Sequence, residues 1–259
     1  MSQDFRKFAL ELAQQAGGLI RSNFKLGMKK EWKADSSPVT ETDLAINKLL
    51  IEGVKKHFPA HSVLGEEESA MVEGSEYTWV CDPVDGTIPF SHGVPTCVFS
   101  LALAHNGDPV LGVIYDPFMD RLLWAEKGKG AFMNNDPIHV NDAASPDRTV
   151  IGMPIWVRSK YKLIELQAEL MERGATVMGL QSVVYMALLT ATGEFCATSF
   201  GGATAHDGAA VKIIVEEAGG KVTDLFGNEQ RWDQPIKGYI ASNGKVHAEL
   251  VKAIGQLIS

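Results

Sequence analysis

The sequence predicts two joined halves: an α+β half over residues 1–147 and an α/β half over 148–259, packed as one compact unit. Two observations carry this. In the first half, two helical patterns precede strand-like runs joined by tight-turn signals, the order of an antiparallel sheet covered by helices. From about residue 148 short apolar runs alternate with helical ones, as in a sheet with crossover helices. No long linker separates the two textures, so they are expected to share an interface.

Phe5, Phe8, Leu12, Ala16, Leu19 and Ile20 form one face of a helix over residues 4–24. Residues 33–43, Lys-Ala-Asp-Ser-Ser-Pro-Val-Thr-Glu-Thr-Asp, are polar and read as a loop. Within it Thr40 and Asp43 have the spacing of a capping box. A second helix follows, with Ile46, Leu49, Leu50, Val54 and Phe58 inward, and Pro59 stops it. Ser62–Leu64 is a short strand candidate. Trp79-Val80-Cys81 is a buried one, expected to end at Asp82 because Pro83 has no N–H for the ladder. Thr87 is placed as the N-cap of a short helical turn. Residues 97–104 and 110–115 are strands joined by Asn106-Gly107-Asp108, a hairpin signal, and 122–125 adds another. In the second half, strands are expected at 149–152, 175–178, 194–198 and 239–242. Helices are expected at 161–172, 183–190, 207–218 and 246–258. Asp207 taken alone has the ordinary role of an N-cap, and Gly219-Gly220 closes its helix.

Composition narrows the function. A net charge of −8 argues against an unaided nucleic-acid or anionic-membrane surface. No run approaches the roughly 20 apolar residues of a membrane span, and the first residues lead into an amphipathic helix, not an export signal. Cys81, Cys97 and Cys196 form no Cys-x-x-Cys pair and sit among apolar residues, as buried thiols in a reducing cytoplasm would.

Acids at chain reversals carry the chemistry. Asp82 and Asp85 are three apart around a proline, Glu66 follows a strand and a glycine, and Asp207 opens a helical pattern. Such positions beyond strand ends are where α/β sheets bind ligands. Four converging carboxylates would repel one another strongly, so cations must accompany them. An oxygen-only donor set favours Mg²⁺ or Mn²⁺ over Zn²⁺. Taken singly, Glu66-Glu67-Glu68 also fits a solvated loop, Asp207 a plain cap and His206 a surface histidine.

Asp82-Pro83-Val84-Asp85-Gly86-Thr87, with Gly65-Glu66-Glu67 before it and Asp207 ahead of Glu217-Ala218-Gly219-Gly220, resembles the inositol monophosphatase family. Ser37-Pro38-Val39-Thr40-x-Thr42-Asp43 and Ser242-Asn243-Gly244 extend the likeness across nearly the whole chain. The resemblance implies a five-layered αβαβα sandwich, often dimeric, and a Mg²⁺-dependent, frequently lithium-sensitive phosphomonoesterase acting on a small phosphorylated metabolite. It implies two or three Mg²⁺ ions held by Glu66, Asp82, the Val84 carbonyl, Asp85 and Asp207. Thr87 would activate the attacking water, oriented by Asp43, with Glu67 behind the metal ligands. The Gly86 and Thr87 amides would hold the phosphate. The implied mechanism is in-line displacement by water without a covalent intermediate.

The chain departs from the family pattern on the substrate side. Ile88-Pro89 stands where Thr-Asn is common, and His206 where a tryptophan precedes the late aspartate. Phe200 stands where animal members have a glutamate that contacts the inositol ring, and Gln181-Ser182-Val183-Val184 replaces Gly-Thr-Ala-Ala. Gln181, Ser182, Val183, Phe200 and His206 are therefore the expected substrate-side residues, and the ring-hydroxyl partner of inositol phosphate is missing. Histidinol-phosphate phosphatase, bisphosphate nucleotidase and fructose-bisphosphatase-like activities are the alternatives, as is a regulatory, partner-binding protein on the same fold. A haloacid-dehalogenase box needs its acids two apart, not three. The P-loop, His-Glu-x-x-His and Gly-x-Ser-x-Gly motifs are absent from the sequence.

Overall fold

The computed structural model describes residues 3–33, 38–154, 156 and 159–258. Residues 34–37 of the expected loop, including Ser37 of the family-like segment, lie outside the described residues. The chain runs α1 (Gln3–Asn23), β1 (Glu31–Trp32), β2 (Pro38–Val39), α2 (Glu41–His57), β3 (Ser62–Gly65), β4 (Tyr77–Asp85) and α3 (Thr87–Ser91). It continues through β5 (Val98–His105), β6 (Asp108–Asp116), β7 (Arg121–Glu126), β8 (Ala131–Met133), β9 (Asp136–Pro137) and β10 (Val150–Gly152). Then come α4 (Ile164–Glu172), β11 (Thr176–Met178), α5 (Val183–Ala191) and β12 (Ala197–Phe200). The last elements are α6 (Ala209–Glu217), β13 (Lys221–Thr223), β14 (Tyr239–Ser242) and α7 (His247–Leu257).

Side-chain alternation divides the molecule into layers. Trp79 and Cys81 point to one face of the first sheet, where they pack with Ala13, Ile20, Ile46 and Leu50 of α1 and α2. Val80, Val98 and Ile114 point to the other face, against α5 and α6. Those two helices are sandwiched between the first sheet, in the order β3-β4-β5-β6-β7-β8-β9, and the second, β11-β10-β12-β14-β13. On the far side, Ile151 and Ile240 pack with Leu166, Leu170 and Ile254 of α4 and α7. Helices, sheet, helices, sheet, helices is the five-layered αβαβα sandwich. The middle core draws on both halves of the chain, so neither covers its own apolar surface.

Local chemistry explains the details. Asn106 and Gly107 take positive φ of 51° and 86°, the two-residue turn that closes β5 onto β6. β4 does not stop at Asp82: it continues through Pro83 to Asp85, with a register break between the two acids. Proline needs no ladder partner in a bulge, which is why it is tolerated there. α3 has Gly86 as its N-cap, with Thr87 the first helical residue. α6 begins at Ala209 with Gly208 as cap, so Asp207 lies in the turn before the helix and does not cap it. α4 starts three residues later than its apolar pattern, because the Tyr161 amide is donated to the Gly201 carbonyl at 2.8 Å. β12 is displaced to 197–200, because the Glu194 and Phe195 amides both close the end of α5 on the Leu189 carbonyl.

Candidate active site

β3 and β4 are parallel neighbours, with Gly65 opposite Cys81. Glu66 and Asp82, the next residue on each, therefore leave the sheet side by side, and the Glu66 amide donates to the Cys81 carbonyl at 3.1 Å. Gly65 has no room for a side chain: a Cβ would lie 2.2 Å from Asn47 Oδ1 and 2.5 Å from the Glu68 carbonyl. In the bulge, the Val84 amide donates to Asp82 Oδ1 at 2.9 Å, fixing that carboxylate. Asp85 is aimed at the start of α5. Its Oδ2 accepts from the Val184 amide at 2.9 Å and from the Ser182 hydroxyl, so the helix N-terminus faces a carboxylate. Gly86 reverses the chain at φ 91°, where a Cβ would meet the Thr96 carbonyl at 2.7 Å and Ser182 Cβ at 2.8 Å.

Two further segments close the site. The capping box of α2 holds Asp43, whose Oδ2 accepts from the Thr40 amide at 2.9 Å and the Thr40 hydroxyl at 2.5 Å. Its Oδ1 faces Thr87 Oγ1 at 3.2 Å, and that same hydroxyl lies 3.0 Å from the Val84 carbonyl. The late turn brings Asp207, whose carboxylate accepts from Thr204 and whose carbonyl accepts from the Tyr239 hydroxyl at 3.1 Å. Lys33 reaches in from the loop to Glu66 at 2.9 Å and Glu67 at 2.5 Å.

Ligand atoms of Asp82, Asp85 and Asp207 lie within 4.8 Å of one another, and so do those of Glu66, Asp82 and His206. Burial raises the proton affinity of Asp82, Asp85 and Asp207, and neighbouring acids raise it further. Asp82 is pushed well above the usual carboxylate range by burial and then by Glu66, Asp85 and Asp207. Burial and Asp207 push Asp85 up to about 7 against the pull of its Ser182 and Val184 donors. Burial pushes Asp207 to about 7 against its Thr204 bond, with Glu66 adding to the rise. Asp43 also reaches about 7 by burial, despite its Thr40 bonds. Glu67 is raised by burial and held back by Lys33, whereas burial lowers His206 and favours its neutral ring. Acids that cannot all ionise without a counter-charge, with oxygens converging on common points, fit hard divalent cations.

The substrate-side residues divide. Phe200 and His206 line a cleft of about 350 Å³ beside Glu66 and Asp207, together with Trp156, Ser159, Lys160 and Thr204. The Phe200 ring rests 5.5 Å from that of Tyr239. Ser182 spends its hydroxyl on Asp85, Val183 is packed in the middle core, and Gln181 sits at φ 56° just before α5. Sequence reasoning missed Lys33 and the amide donors of α5, whose positions depend on long-range packing. It also gave His206 to the substrate side alone, whereas the ring borders the acids as well; adjacency to Asp207 was the available signal.

Known proteins match nearly the whole chain. The family model "Inositol monophosphatase family" matches residues 1–259. The chain is 33% identical over 252 residues to a fructose-1,6-bisphosphatase/inositol-1-monophosphatase of Thermotoga maritima, covering 97% of this chain and 96% of that protein. It is 33% identical over 253 residues to a histidinol-phosphatase of Chlorobaculum parvum, covering 96% of each. Among solved structures, a Thermotoga maritima IMPase superposes with a TM-score of 0.88 at 31% identity, covering 99% of this chain and 98% of that one. The extragenic suppressor protein suhB of Bartonella henselae gives 0.89 at 28% identity, covering 97% and 98%. With the sandwich, the bulged acid motif and the late aspartate all in place, the chain belongs to the inositol monophosphatase family.

Proposed function

We propose that this protein is a phosphatase that hydrolyses the phosphate monoester of a small metabolite by direct attack of water, releasing inorganic phosphate. The convergence of Asp82, Asp85 and Asp207 beside the Thr87–Asp43 pair carries the reading. Two or three Mg²⁺ ions, held by Glu66, Asp82, the Val84 carbonyl, Asp85 and Asp207, would supply charge neutralisation and a more acidic bound water. Thr87 Oγ1 has one proton and two acceptors in reach, Asp43 Oδ1 and the Val84 carbonyl; were that carbonyl engaged by a bound cation, the proton would go to Asp43 Oδ1. The hydroxyl oxygen is then free to accept from the attacking water. The amides of Gly86 and Thr87 hold the phosphate, and Glu67 keeps Lys33 beside Glu66. Lithium inhibition, a homodimer and a cytoplasmic setting belong to the same reading. The three buried free thiols suit a reducing compartment, and exposed Leu26 and Val94 flank Gly93 as an apolar surface for a second copy. No helix among the described residues is long and apolar enough to cross a membrane.

The assignment to Thr87 predicts that Thr87→Val loses roughly 10²–10⁴-fold in kcat while Thr87→Ser keeps most of it. Equal losses in the two variants, with native melting, would remove Thr87 from the water-activating role.

The cleft points to the leaving group. Its rings, Trp156, Phe200 and His206, offer flat faces, and the carboxylates on its wall are Glu66 and Asp207 of the cage. Among the described residues of the cleft, a polyol finds as side-chain acceptors outside the cage only the hydroxyls of Ser159 and Thr204, and a cationic leaving group finds no carboxylate outside the cage. Esters of an aryl or nucleoside alcohol are therefore the preferred class, ahead of inositol 1-phosphate and histidinol phosphate. A rate panel in Mg²⁺ with phenyl phosphate, nucleoside phosphates and bisphosphates, fructose 1,6-bisphosphate, inositol 1-phosphate and histidinol phosphate tests both levels. No hydrolysis of any ester would end the phosphatase reading. A preference for inositol 1-phosphate, or no shift of roughly tenfold toward it in Phe200→Glu, would end the leaving-group assignment only.

A further inference from the structure

We infer that His206 is a ligand of the metal centre, giving one position an imidazole nitrogen beside the carboxylates of Glu66 and Asp82. We further infer that this position prefers a first-row transition-metal dication to Mg²⁺. The inference rests on the metal-dependent reading above and not on which ester is hydrolysed. Three features carry it. Ring nitrogen and carboxylate oxygens of His206, Glu66 and Asp82 lie within 4.8 Å of one another, a distance one ion can bridge. His206 Nε2 is 3.7 Å from Asp207 Oδ2, too far for a hydrogen bond, so this acid next in sequence does not consume it. The turn that presents His206 is pinned on both sides. The Ala205 carbonyl accepts the Gly208 and Ala209 amides at 3.0 and 2.9 Å, and the Tyr239 hydroxyl holds the Asp207 carbonyl at 3.1 Å.

The chemistry of the donor set follows. Mg²⁺ prefers oxygen ligands and keeps its waters, whereas an imidazole among two carboxylates favours Mn²⁺, Co²⁺ and their neighbours. Lys33 need not leave for this to happen. It bonds Glu66 and Glu67 together, so Glu66 can turn to a cation while Lys33 stays with Glu67. The tryptophan common at this position in the family offers no ligating nitrogen.

The full-length protein is stripped with EDTA and titrated with Mn²⁺, Co²⁺ and Mg²⁺ by calorimetry, and the Mn²⁺ form is examined by pulsed electron paramagnetic resonance. The expected result is a ¹⁴N coupling from a coordinated imidazole in the wild type, absent in His206→Gln and His206→Trp. The Mn²⁺-to-Mg²⁺ affinity ratio should fall by roughly tenfold or more in both variants. Absence of ¹⁴N coupling in wild-type Mn²⁺ protein overturns the inference without reference to any variant. So does its persistence in the variants, or an unchanged affinity ratio in a variant that melts like the wild type. Hydrolysis of glycerol 2-phosphate in the same samples reports separately on the phosphatase reading. Coupling without hydrolysis would sink that reading and leave this one standing.

Discussion

Asp85→Asn is expected to lower kcat by roughly 10³-fold or more without unfolding the protein. The substitution is nearly isosteric, and the Ser182 hydroxyl and Val184 amide require an acceptor on one side of the group. The new side chain must therefore turn its carbonyl toward α5, which leaves its NH₂ facing Asp82 and Asp207. A donor now points toward the place proposed for a cation, and one negative charge is gone. Asp85→Asn should keep the wild-type melting temperature in EDTA, or exceed it, because a repulsive buried charge has been removed. Steady-state rates and metal titrations on the same preparation check this. Mg²⁺-dependent activity within tenfold of wild type would sink the role of Asp85 as a metal ligand.

The second large effect is on stability without metal. Asp43, Asp85 and Asp207 each titrate near 7 in the folded protein, against an ordinary value of 3.8. Their folded pKa values are raised, so the folded state holds more protons than the unfolded one between these values. Stability is then fully present at low pH and is lost as pH rises through 7. The buried histidines act in the opposite sense, but His206 and His247 are lowered from 6.5, so their contribution changes below that value. Between pH 6.5 and 8 the acids outweigh the remaining opposite contribution of His61, His206 and His247, which is largely spent below pH 6.5. In EDTA the melting temperature should fall by roughly 5–10 °C across this window. Saturating Mg²⁺ should cancel most of the fall, because a bound cation replaces the protons. Mg²⁺ binding at pH 6.5 should correspondingly release protons, seen as a buffer-dependent heat. A flat or rising melting temperature in EDTA would contradict the electrostatic account of the cage.

Much of this site was legible in the sequence because it is local. The Thr40–Asp43 box, the Asn106-Gly107 turn and the spacing of Asp82 to Asp85 are set by neighbours within a few residues. Even there, one inference failed for a physical reason. Pro83 does not end its strand, because the bulge absorbs the missing N–H and the strand resumes to place Asp85. Taken alone Asp207 also reads as a helix cap, because sequence shows only that it precedes a helix; Gly208 takes that position, and the Asp207 carboxylate converges with those of Asp82 and Asp85. Lys33 and the amide of Val184 were beyond reach. Each acts on an acid far away in the chain, and only the tertiary fold brings them together. His206 sits between these cases: its neighbour Asp207 was singled out, but its approach to Glu66 and Asp82 depends on a distant turn meeting the ends of β3 and β4.

The middle core also has a consequence for how the protein is made. Val80, Val98, Ala102 and Ile114 of the first sheet find their cover in Val184, Val211 and Ile214 of α5 and α6. On a ribosome adding about 5–20 residues per second, the finished sheet waits several seconds or more with that face bare. Pairing so distant in sequence also slows the final docking. The nascent chain is thus most exposed to aggregation just before its last third emerges. A chain broken off before Asp207 would lack α6 and so carry a sheet only partly covered, with three acids and no fourth beside them. Co-translational chaperone capture and clearance of such fragments are therefore expected to respond to the same step that completes the metal centre.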